Sequence, residues 1–264
     1  MHAAEREQMI LQLLRERGFI GFQELDRRVD ASPATLRRDL DRLATAGRIE
    51  RVRGGARLAS AAAAAEAIEN ARLTGVPFHE NIGRNRAEKE SIGRAAAALC
   101  QPGEAVIIDG GSTTLQMCPH LDGLGLQVLT NSLHIVSALL PQPNTRISIP
   151  GGALFREQNI VLSAFEEDGA SRYHATKMFL GAAAVGRHGV MQSDVLLIQA
   201  ERRLLGQADQ LVLLVDSSKF TASAAHVLCA LEEISILVTD HRVTDAAAQE
   251  IGRAGVRLIV APAP

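Results

Sequence analysis

The chain has 264 residues, 47% of them hydrophobic, which allows one large domain or two smaller ones with real cores. No stretch has the roughly eighteen uninterrupted apolar residues that a membrane span requires, and no export signal is evident, so we expect a cytoplasmic protein with no membrane partner. The 3 cysteines and 8 histidines stand at no metal-ligand spacing, so we expect buried free thiols, no metal site, no cofactor and no disulfide framework.

The charge is divided unevenly along the chain, although the net charge is only −2. Residues 1–58 contain 12 arginines, no lysine and 9 acidic residues, whereas the remainder contains 16 basic and 21 acidic residues. The excess of basic over acidic residues is greatest from Pro33 to Arg57, which contains seven arginines and three acids. Such a segment suits an approach to phosphate groups, although a solvated helical face accounts for the charge equally well. The two parts of the chain are therefore expected to have different partners.

Residues 1–58 predict three helices followed by a hairpin. Apolar residues recur at helical spacing from about residue 4 to 17, again over a shorter segment, and a third time from Pro33 to about residue 46, with Ser32 as the N-cap. Residues 48–58 alternate apolar and charged residues around a Gly-Gly turn, which predicts a two-stranded hairpin. This order of elements is that of a winged helix-turn-helix. The apolar residues that carry the helical pattern are Met9, Ile10, Leu13, Leu14, Phe22, Leu25, Val29, Leu36, Leu40 and Leu43.

The third helix and the hairpin carry the residue types that DNA recognition uses. A rigid helix presents side chains to base edges, while neighbouring arginines pair with guanine or with phosphates. Each arginine alone is typical of an ordinary surface, but their combination with the order of helices favours DNA binding. Aromatic residues make up only 3% of the chain and tryptophan is absent, which argues against stacking on single strands and favours duplex DNA. The predicted DNA-contacting residues are Ser32, Thr35, Arg37, Arg38, Arg42, Arg51 and Arg53.

Residues 59–84 predict a linker, and residues 85–264 predict an α/β domain. The linker begins with an alanine-rich run and contains Gly75-Val76-Pro77. Beyond it, short β-rich runs alternate with helical patterns, which predicts a mostly parallel sheet covered on both faces. The β-rich runs are residues 105–108, 126–129, 146–149, 177–180, 211–215, 234–238 and 256–260.

Small polar and glycine-rich segments follow the first three of these runs. Glycines let backbone amides approach an anion, and hydroxyl residues can open the next helix. Because ligands bind beyond the carboxyl ends of parallel strands, the segments predict one ligand pocket, although each alone is also typical of a plain strand-to-helix turn. A lysine after a later run adds a cation at the same edge. The predicted pocket residues are Asp109, Gly110, Gly111, Ser112, Thr113, Thr114, Thr130, Asn131, Ser132, Gly151, Gly152 and Lys219.

Seven segments together resemble the DeoR/GlpR family of bacterial sugar-catabolism regulators, over nearly the whole chain. They are residues 32–40, 51–56, 85–89, 109–114, 130–132, 151–152 and 216–220. The resemblance implies a winged-helix domain joined to a sensor domain similar in fold to ribose-5-phosphate isomerase. It further implies a homo-oligomer, dimer or tetramer, that represses by binding double-stranded operator DNA and is released by a phosphorylated sugar. On the same basis Lys89 becomes a further candidate for the effector site.

The chain departs from the family pattern after the run at residues 177–180. Family members commonly carry Gly-Ala-Asp-Gly there, but Ala183 stands in place of the acid. Shortly afterwards Leu196 and Leu197 stand where glutamates are usual. Either the pocket chemistry is altered, so that no specific sugar can be transferred from the family, or these positions face the core.

Two functional classes follow, a ligand-responsive regulator and a sugar-phosphate isomerase-like enzyme with an accessory helical domain. Isomerisation needs a positioned general base, normally a carboxylate. Without an acid at position 183, Asp109 and Asp194 remain, and an aspartate beside a glycine turn more often orients the loop. We therefore expect binding without turnover and no catalytic residues. Nothing in the sequence separates repression from activation.

Overall fold

The computed structural model describes residues 3–17, 19–29, 31–45, 48–52, 54–58, 78–156, 158–163 and 169–264. The chain divides into two compact units, an N-terminal unit of residues 1–72 and a C-terminal unit of residues 73–264. The domain boundaries predicted at residues 58 and 84 stay predictions, because residues 59–77 lie outside the described part. None of the helices in the described ranges combines the length and the apolar character that crossing a bilayer requires.

The N-terminal unit has the predicted winged helix-turn-helix architecture. Its elements are α1 (Ala3–Arg17), β1 (Phe19–Gly21), α2 (Phe22–Arg28), α3 (Pro33–Thr45), β2 (Ile49–Val52) and β3 (Gly55–Leu58). Strands β2 and β3 form the antiparallel wing. The short strand β1, which the sequence did not predict, pairs antiparallel with β3 and places β3 at the centre of the sheet.

The core of the N-terminal unit is the predicted apolar stripe. Leu36, Leu40 and Leu43 of α3 are buried together with Ile10 of α1, so the inward face of the third helix is confirmed. Met9 was predicted on the same inner face and is instead 38% exposed, because it lies at the margin of the stripe.

An acidic residue, Asp39, is buried beside this core. Its carboxylate accepts a hydrogen bond from Arg6 Nε at 2.8 Å and another from Arg42 Nη2 at 3.1 Å. Since Arg6 belongs to α1 and Arg42 to α3, the carboxylate ties the two helices together. Two guanidinium groups supply the donors that a buried carboxylate requires.

The C-terminal unit is built around a parallel sheet. Its helices are α4 (Phe78–Asn81), α5 (Arg86–Ala97), α6 (Leu133–Leu139), α7 (Val195–Leu205) and α8 (Asp245–Arg253), with 3-10 helices at Thr114–His120, Ala170–Arg172, Ser217–Phe220 and Leu231–Glu233. Its strands are β4 (Ala105–Ile108), β5 (Gln127–Leu129), β6 (Arg146–Ser148), β7 (Ala153–Phe155), β8 (Ile160–Leu162), β9 (Ala175–Leu180), β10 (Ala184–Gly186), β11 (Gly189–Gln192), β12 (Ala208–Leu214), β13 (His226–Cys229), β14 (Ile236–Thr239) and β15 (Arg257–Val260).

Seven of these strands form one sheet in the order β15-β14-β12-β9-β4-β5-β6, and every neighbouring pair is parallel. Each of the seven predicted β-rich runs overlaps one of them, so the predicted parallel α/β sheet is confirmed. Two smaller antiparallel arrangements, β10-β11-β13 and the β7–β8 hairpin, were not predicted. The hairpin is attached to the end of β5, since Val161 N donates to Asn131 O at 2.7 Å.

Side chains of the central strands alternate between two cores. Val106 and Ile108 of β4 lie with α5, α6 and the 3-10 helix 114–120, whereas Ile107 lies with α7 and α8. Asp109 continues the strand, because its N–H donates to Phe179 O at 2.9 Å. The alternation therefore directs its side chain to the α7 side.

The three cysteines are buried and free, in agreement with the sequence expectation. Cys100 and Cys118 belong to the core on the α5 side, and Cys229 belongs to the core on the α7 side.

Candidate functional site

The start of α3 is fixed by a local cap. Ser32 Oγ accepts a hydrogen bond from Thr35 N at 3.2 Å and lies 2.8 Å from Thr35 Oγ1. Both residues precede or open the helix, where a hydroxyl replaces a missing backbone partner. Ser32 and Thr35 were predicted to contact DNA, and their hydroxyl groups are bonded to each other in this structure.

Two arginines project from the exposed side of α3. Arg37 and Arg38 are both exposed, on the opposite side of the helix from the buried leucines. The guanidinium carbon of Arg37 lies 5.2 Å from the centre of the Phe22 ring, a cation-π arrangement that limits its motion. Arg38 has no ion-pair partner within the described ranges. Both side chains are therefore accessible at the surface of the N-terminal unit.

The remaining predicted arginines are held by acids or cannot be placed. Arg42 pairs with Asp39 and also with Glu7 of α1, and Arg51 of the wing pairs with Asp41 of α3. The pair between Arg51 and Asp41 is solvent-accessible, and exposed pairs contribute only about 0–1 kcal/mol, so a phosphate can replace the acid at little cost. Arg53 lies outside the described residues.

The predicted pocket segments lie at one edge of the seven-stranded sheet. They follow β4, β5 and β6, while Asp216 and Lys219 follow β12, and all these strands are parallel. The first two segments are in contact: a Cβ added at Gly110 would lie 3.2 Å from Ser132 Cβ and 2.7 Å from Ile160 Cγ2. Glycine at position 110 therefore permits the close approach of neighbouring loops.

Several predicted pocket residues have local structural roles at this edge. Thr114 Oγ1 donates to Asp109 O at 2.7 Å and closes the turn after β4. Thr130 Oγ1 accepts from Ser132 N at 3.1 Å, and Ser132 Oγ caps α6 by accepting from Ile135 N. A Cβ added at Gly152 would lie 2.3 Å from Leu162 O, so glycine at this position lets the start of the β7–β8 hairpin lie close to the end of β8. The exposed Gly151 precedes it, and Ser112 and Thr113 are buried just before the 3-10 helix 114–120.

Four buried side-chain oxygens have no hydrogen-bond donor among the described residues. Asn131 and Asp216 follow β5 and β12, and Thr239 ends β14, so three of them lie at the carboxyl edge of the sheet. The fourth is brought to the same edge by α7. An unsatisfied buried acceptor costs about 1–3 kcal/mol, so this edge is suited to a ligand rich in donors. The atoms are Asn131 Oδ1, Glu201 Oε2, Asp216 Oδ2 and Thr239 Oγ1.

The two predicted lysines have different environments. Lys89 is fully buried, and its Nζ donates to the carbonyl oxygen of Asn81 at 2.5 Å, which holds α5 to α4. Burial lowers the pKa of Lys89 to about 8, against the opposing effect of the Asp216 charge. Lys219 is only half-buried, in the loop that also contains Asp216. Lys219 is the more accessible of the two cations.

A pair of carboxyl groups lies under the first loop. Glu201 of α7 lies close enough to Asp109 for their carboxyl groups to interact, and Gln192 Nε2 donates to Glu201 Oε1 at 2.7 Å. Burial raises the pKa of Asp109 to about 6. Burial, together with the charge of Asp109, raises the pKa of Glu201 well above its usual range. Both carboxyl groups are therefore harder to ionise than free acids, and Glu201 Oε2 has no hydrogen-bond donor among the described residues.

Two protein-family models match the chain. Residues 6–62 match the DeoR-like helix-turn-helix domain, and residues 84–241 match the DeoR C terminal sensor domain. The chain belongs to the DeoR family. It is a DNA-binding transcriptional regulator, with the N-terminal unit as its DNA-binding part and the C-terminal unit as its sensor.

Named relatives of this DeoR-family regulator match it over almost its whole length. The HTH-type transcriptional regulator UlaR of Shigella dysenteriae serotype 1 (strain Sd197) is 31% identical over 98% of this chain and 99% of its own. The UlaR of Escherichia coli (strain K12 / DH10B) has the same identity and coverage.

Solved structures show weaker likeness. Ribose 5-phosphate isomerase A from Methanocaldococcus jannaschii is 16% identical, with 50% of this chain and 53% of that chain covered and a TM-score of 0.37. The probable sor operon regulator from Shigella flexneri is 11% identical, with 68% and 85% covered and a TM-score of 0.39. At these scores neither likeness supports a statement about ligand or activity.

The positions where this DeoR-family chain departs from the family pattern do not form a core. Leu196 is 42% exposed and Leu197 half-buried, both in the first turn of α7, so the core-facing hypothesis is wrong for Leu196. Ala183 is half-buried, and its N–H donates to Met191 O at 2.9 Å. Asp194, a residual candidate for a general base, caps α7 by accepting from Leu196 N at 2.8 Å.

Sequence reasoning missed Glu201 as a residue of the site. A signal was present, because Glu201 stands three residues after Ile198 and three before Leu204, both of which are buried. An acid within an apolar helical stripe is buried unless the helix turns away, and a buried acid needs a partner.

Proposed function

We propose that this regulator represses a sugar-catabolism operon and is released by a phosphorylated sugar bound at the carboxyl edge of the C-terminal sheet. The observation that carries the proposal is the row of buried, unsatisfied oxygens along that edge, beside the half-buried Lys219. Hydroxyl groups of a sugar supply donors to such oxygens, and an ammonium group pairs with a phosphate.

On the DNA side, Arg37 and Arg38 are the side chains that we assign to the operator. They are exposed on a rigid helix that begins at a fixed cap, as major-groove recognition requires. Ser32 and Thr35 position the first turn and lie at its surface. We assign Arg42, Arg51 and Arg53 to DNA phosphates. Arg42 and Arg51 pair with acidic side chains here, and a phosphate can take the place of those acids.

On the effector side, the loop from Asp109 to Thr114 and the cation of Lys219 are assigned to the ligand. Anion binding by the backbone amides of this loop is supported by the glycines at positions 110 and 111. Thr130 to Ser132 form the adjacent wall, with Gly151 and Gly152 beside them. Lys89 acts through the charge that it places near Asp216.

Release follows from linkage between the two sites. A homo-oligomer, dimer or tetramer, holds paired N-terminal units on two half-sites, and an effector that binds better to a DNA-incompatible arrangement shifts the population off the operator. We further propose a cytoplasmic location and binding without turnover or cofactor. The proposal of binding without turnover is supported by Asp194 serving as a helix cap.

The test is binding of the full-length protein to a duplex that covers the promoter of its own gene neighbourhood, across a salt series. Five- and six-carbon sugar phosphates are then added one at a time. Expected are specific binding with a steep salt dependence and its relief by one compound. Binding no tighter than to random DNA, or isomerisation of any compound on the panel, would overturn the proposal.

A further inference from the structure

The carboxyl pair of Asp109 and Glu201 has features that packing alone does not require. It lies where three elements converge: the loop after β4, helix α7, and strand β11 through Gln192. Both acids are buried, with Asp109 6% exposed and Glu201 3% exposed. A fold that needed only to fill this space would be better served by apolar residues.

No cation neutralises the pair among its described neighbours. The guanidinium group of Arg202, the residue after Glu201, donates to the carbonyl oxygens of Leu228 and Val227 at 3.1 and 3.3 Å, toward β13. Cys229 of β13 also faces Glu201, and burial raises the pKa of its thiol to about 12, so it stays neutral. The pair therefore keeps one proton and one negative charge.

The position of the charge determines how a ligand can lie at this edge. Asp109 points to the α7 side of the sheet, whereas the 3-10 helix that ends the same loop packs on the α5 side. A phosphate group is repelled by the Asp109 carboxylate and is favoured at the far end of the loop. Neutral hydroxyl groups are then the part of the ligand that meets Asp109.

We propose that Asp109 selects the effector by accepting hydrogen bonds from hydroxyl groups of a neutral, polyhydroxylated carbon chain, and that Glu201 is the positioning residue that holds the Asp109 carboxylate. The inference rests on the proposed function, since it names the substrate class for the same site. A ligand with a carboxylate in place of these hydroxyl groups, such as an aldonate phosphate, is disfavoured because it brings a second negative charge.

The experiment measures dissociation constants of the full-length protein by calorimetry. The probes are inorganic phosphate and five- and six-carbon aldose, ketose, alditol and aldonate phosphates. The readout is the ratio of affinities between the best neutral sugar phosphate and inorganic phosphate. Four variants are compared with the parent protein: Asp109→Asn, Glu201→Gln, Glu201→Leu and, as a control, Glu104→Gln, which removes a buried carboxylate paired with Lys177 next to the opposite end of β4.

Asp109→Asn is expected to lower the affinity ratio about 10-fold, because one charged acceptor is lost while the phosphate contacts remain. Glu201→Leu is expected to lower the affinity ratio by a similar factor. Glu201→Gln is expected to retain it within about 3-fold, because its amide N–H replaces the shared proton as the donor to Asp109. The control Glu104→Gln is expected to leave the ratio unchanged.

The inference is overturned if Asp109→Asn leaves the affinity ratio unchanged, or if an aldonate phosphate is the tightest ligand. It is also overturned if Glu201→Gln lowers the affinity ratio as much as Glu201→Leu does. In those cases the parent protein still binds a phosphorylated compound and releases DNA, so the proposed function stands. If the parent protein binds the operator but no compound on the panel, the proposed effector class fails, and this inference fails with it.

Discussion

The two units of this regulator bury acidic residues in different ways. In the N-terminal unit, Asp39 is buried against the guanidinium groups of Arg6 and Arg42, so each carboxylate oxygen faces a cation. In the C-terminal unit, Asp109 and Glu201 are buried against each other, and burial raises the pKa of both. The first arrangement ties α1 to α3, and removing its carboxylate would leave charges unpaired. We expect the second to destabilise the fold, and we infer that it is retained because a ligand uses it.

The largest expected effect concerns the charges that are not buried at all. Replacing Arg37 and Arg38 together with alanine is expected to lower operator affinity by at least about 100-fold, because each side chain contributes a base or phosphate contact. Fluorescence anisotropy with a labelled operator duplex measures the loss. The double variant Arg253→Ala and Arg257→Ala makes the same change of net charge in the other unit and should bind normally. Operator affinity within about 3-fold of the parent would remove α3 as the recognition helix.

Asp39→Asn is expected to destabilise the N-terminal unit by about 3 kcal/mol, since the two guanidinium groups lose their common anion. By contrast, Asp109→Asn is expected to leave the C-terminal unit as stable as before or more stable. Hydrogen exchange of α3 and of β4, followed by mass spectrometry in the full-length protein, reports the two units separately. Equal destabilisation by the two substitutions would contradict the expected difference between the buried acids of the two units.

Glu201→Gln is expected to change how stability depends on pH. Burial raises the pKa of both acids above their unfolded values, to about 6 for Asp109, so the folded unit binds more protons than the unfolded chain. Its stability therefore falls as the pH rises from about 4 through 6 and beyond. The variant lacks one of these groups, so its stability relative to the parent protein should increase as the pH rises from 5 to 8.

Fluorescence of Tyr173 follows this transition selectively, because it is the only tyrosine and the chain has no tryptophan. Its hydroxyl donates to Gln127 O at 2.7 Å within the C-terminal unit. Parallel pH profiles for the parent and the Gln variant would contradict a shared proton.

The smallest effect is expected at the wing. Glu50→Gln removes the partner of Arg57, whose Nη2 lies 2.8 Å from Glu50 Oε2, and both side chains are about half exposed. Such pairs contribute about 0–1 kcal/mol, so the stability should change by less than about 0.5 kcal/mol. A larger loss in chemical denaturation would mean that exposed charge stabilises the N-terminal unit as strongly as buried charge.

Much of the fold was predictable because periodic patterns determine it locally. The helix with Leu36, Leu40 and Leu43 and the seven parallel strands each carry their own apolar signature. The short strand β1 does not, since three residues with only Ile20 buried give no period. Strands β10, β11 and β13 have three or four residues each, and the pairing of β11 with β13 joins segments far apart in sequence.

The candidate site also has a part that the sequence predicted and a part that it did not. The loops after β4 and β5 were found because parallel strands place their carboxyl ends together, a rule that needs no side-chain detail. Glu201 was missed because it reaches Asp109 from a helix 92 residues away in sequence. Periodicity shows that an acid lies on an inner face, but it does not show which loop that acid will meet.

The buried thiols make this regulator convenient to label. Burial raises the pKa of Cys100, Cys118 and Cys229 to about 12 each, so almost no thiolate is present at neutral pH. A cysteine introduced at the exposed position 34 of α3, as Ala34→Cys, would then react with a maleimide dye far faster than the native three. A single fluorophore beside Arg37 and Arg38 would allow departure from the operator to be watched in real time as each candidate sugar is added.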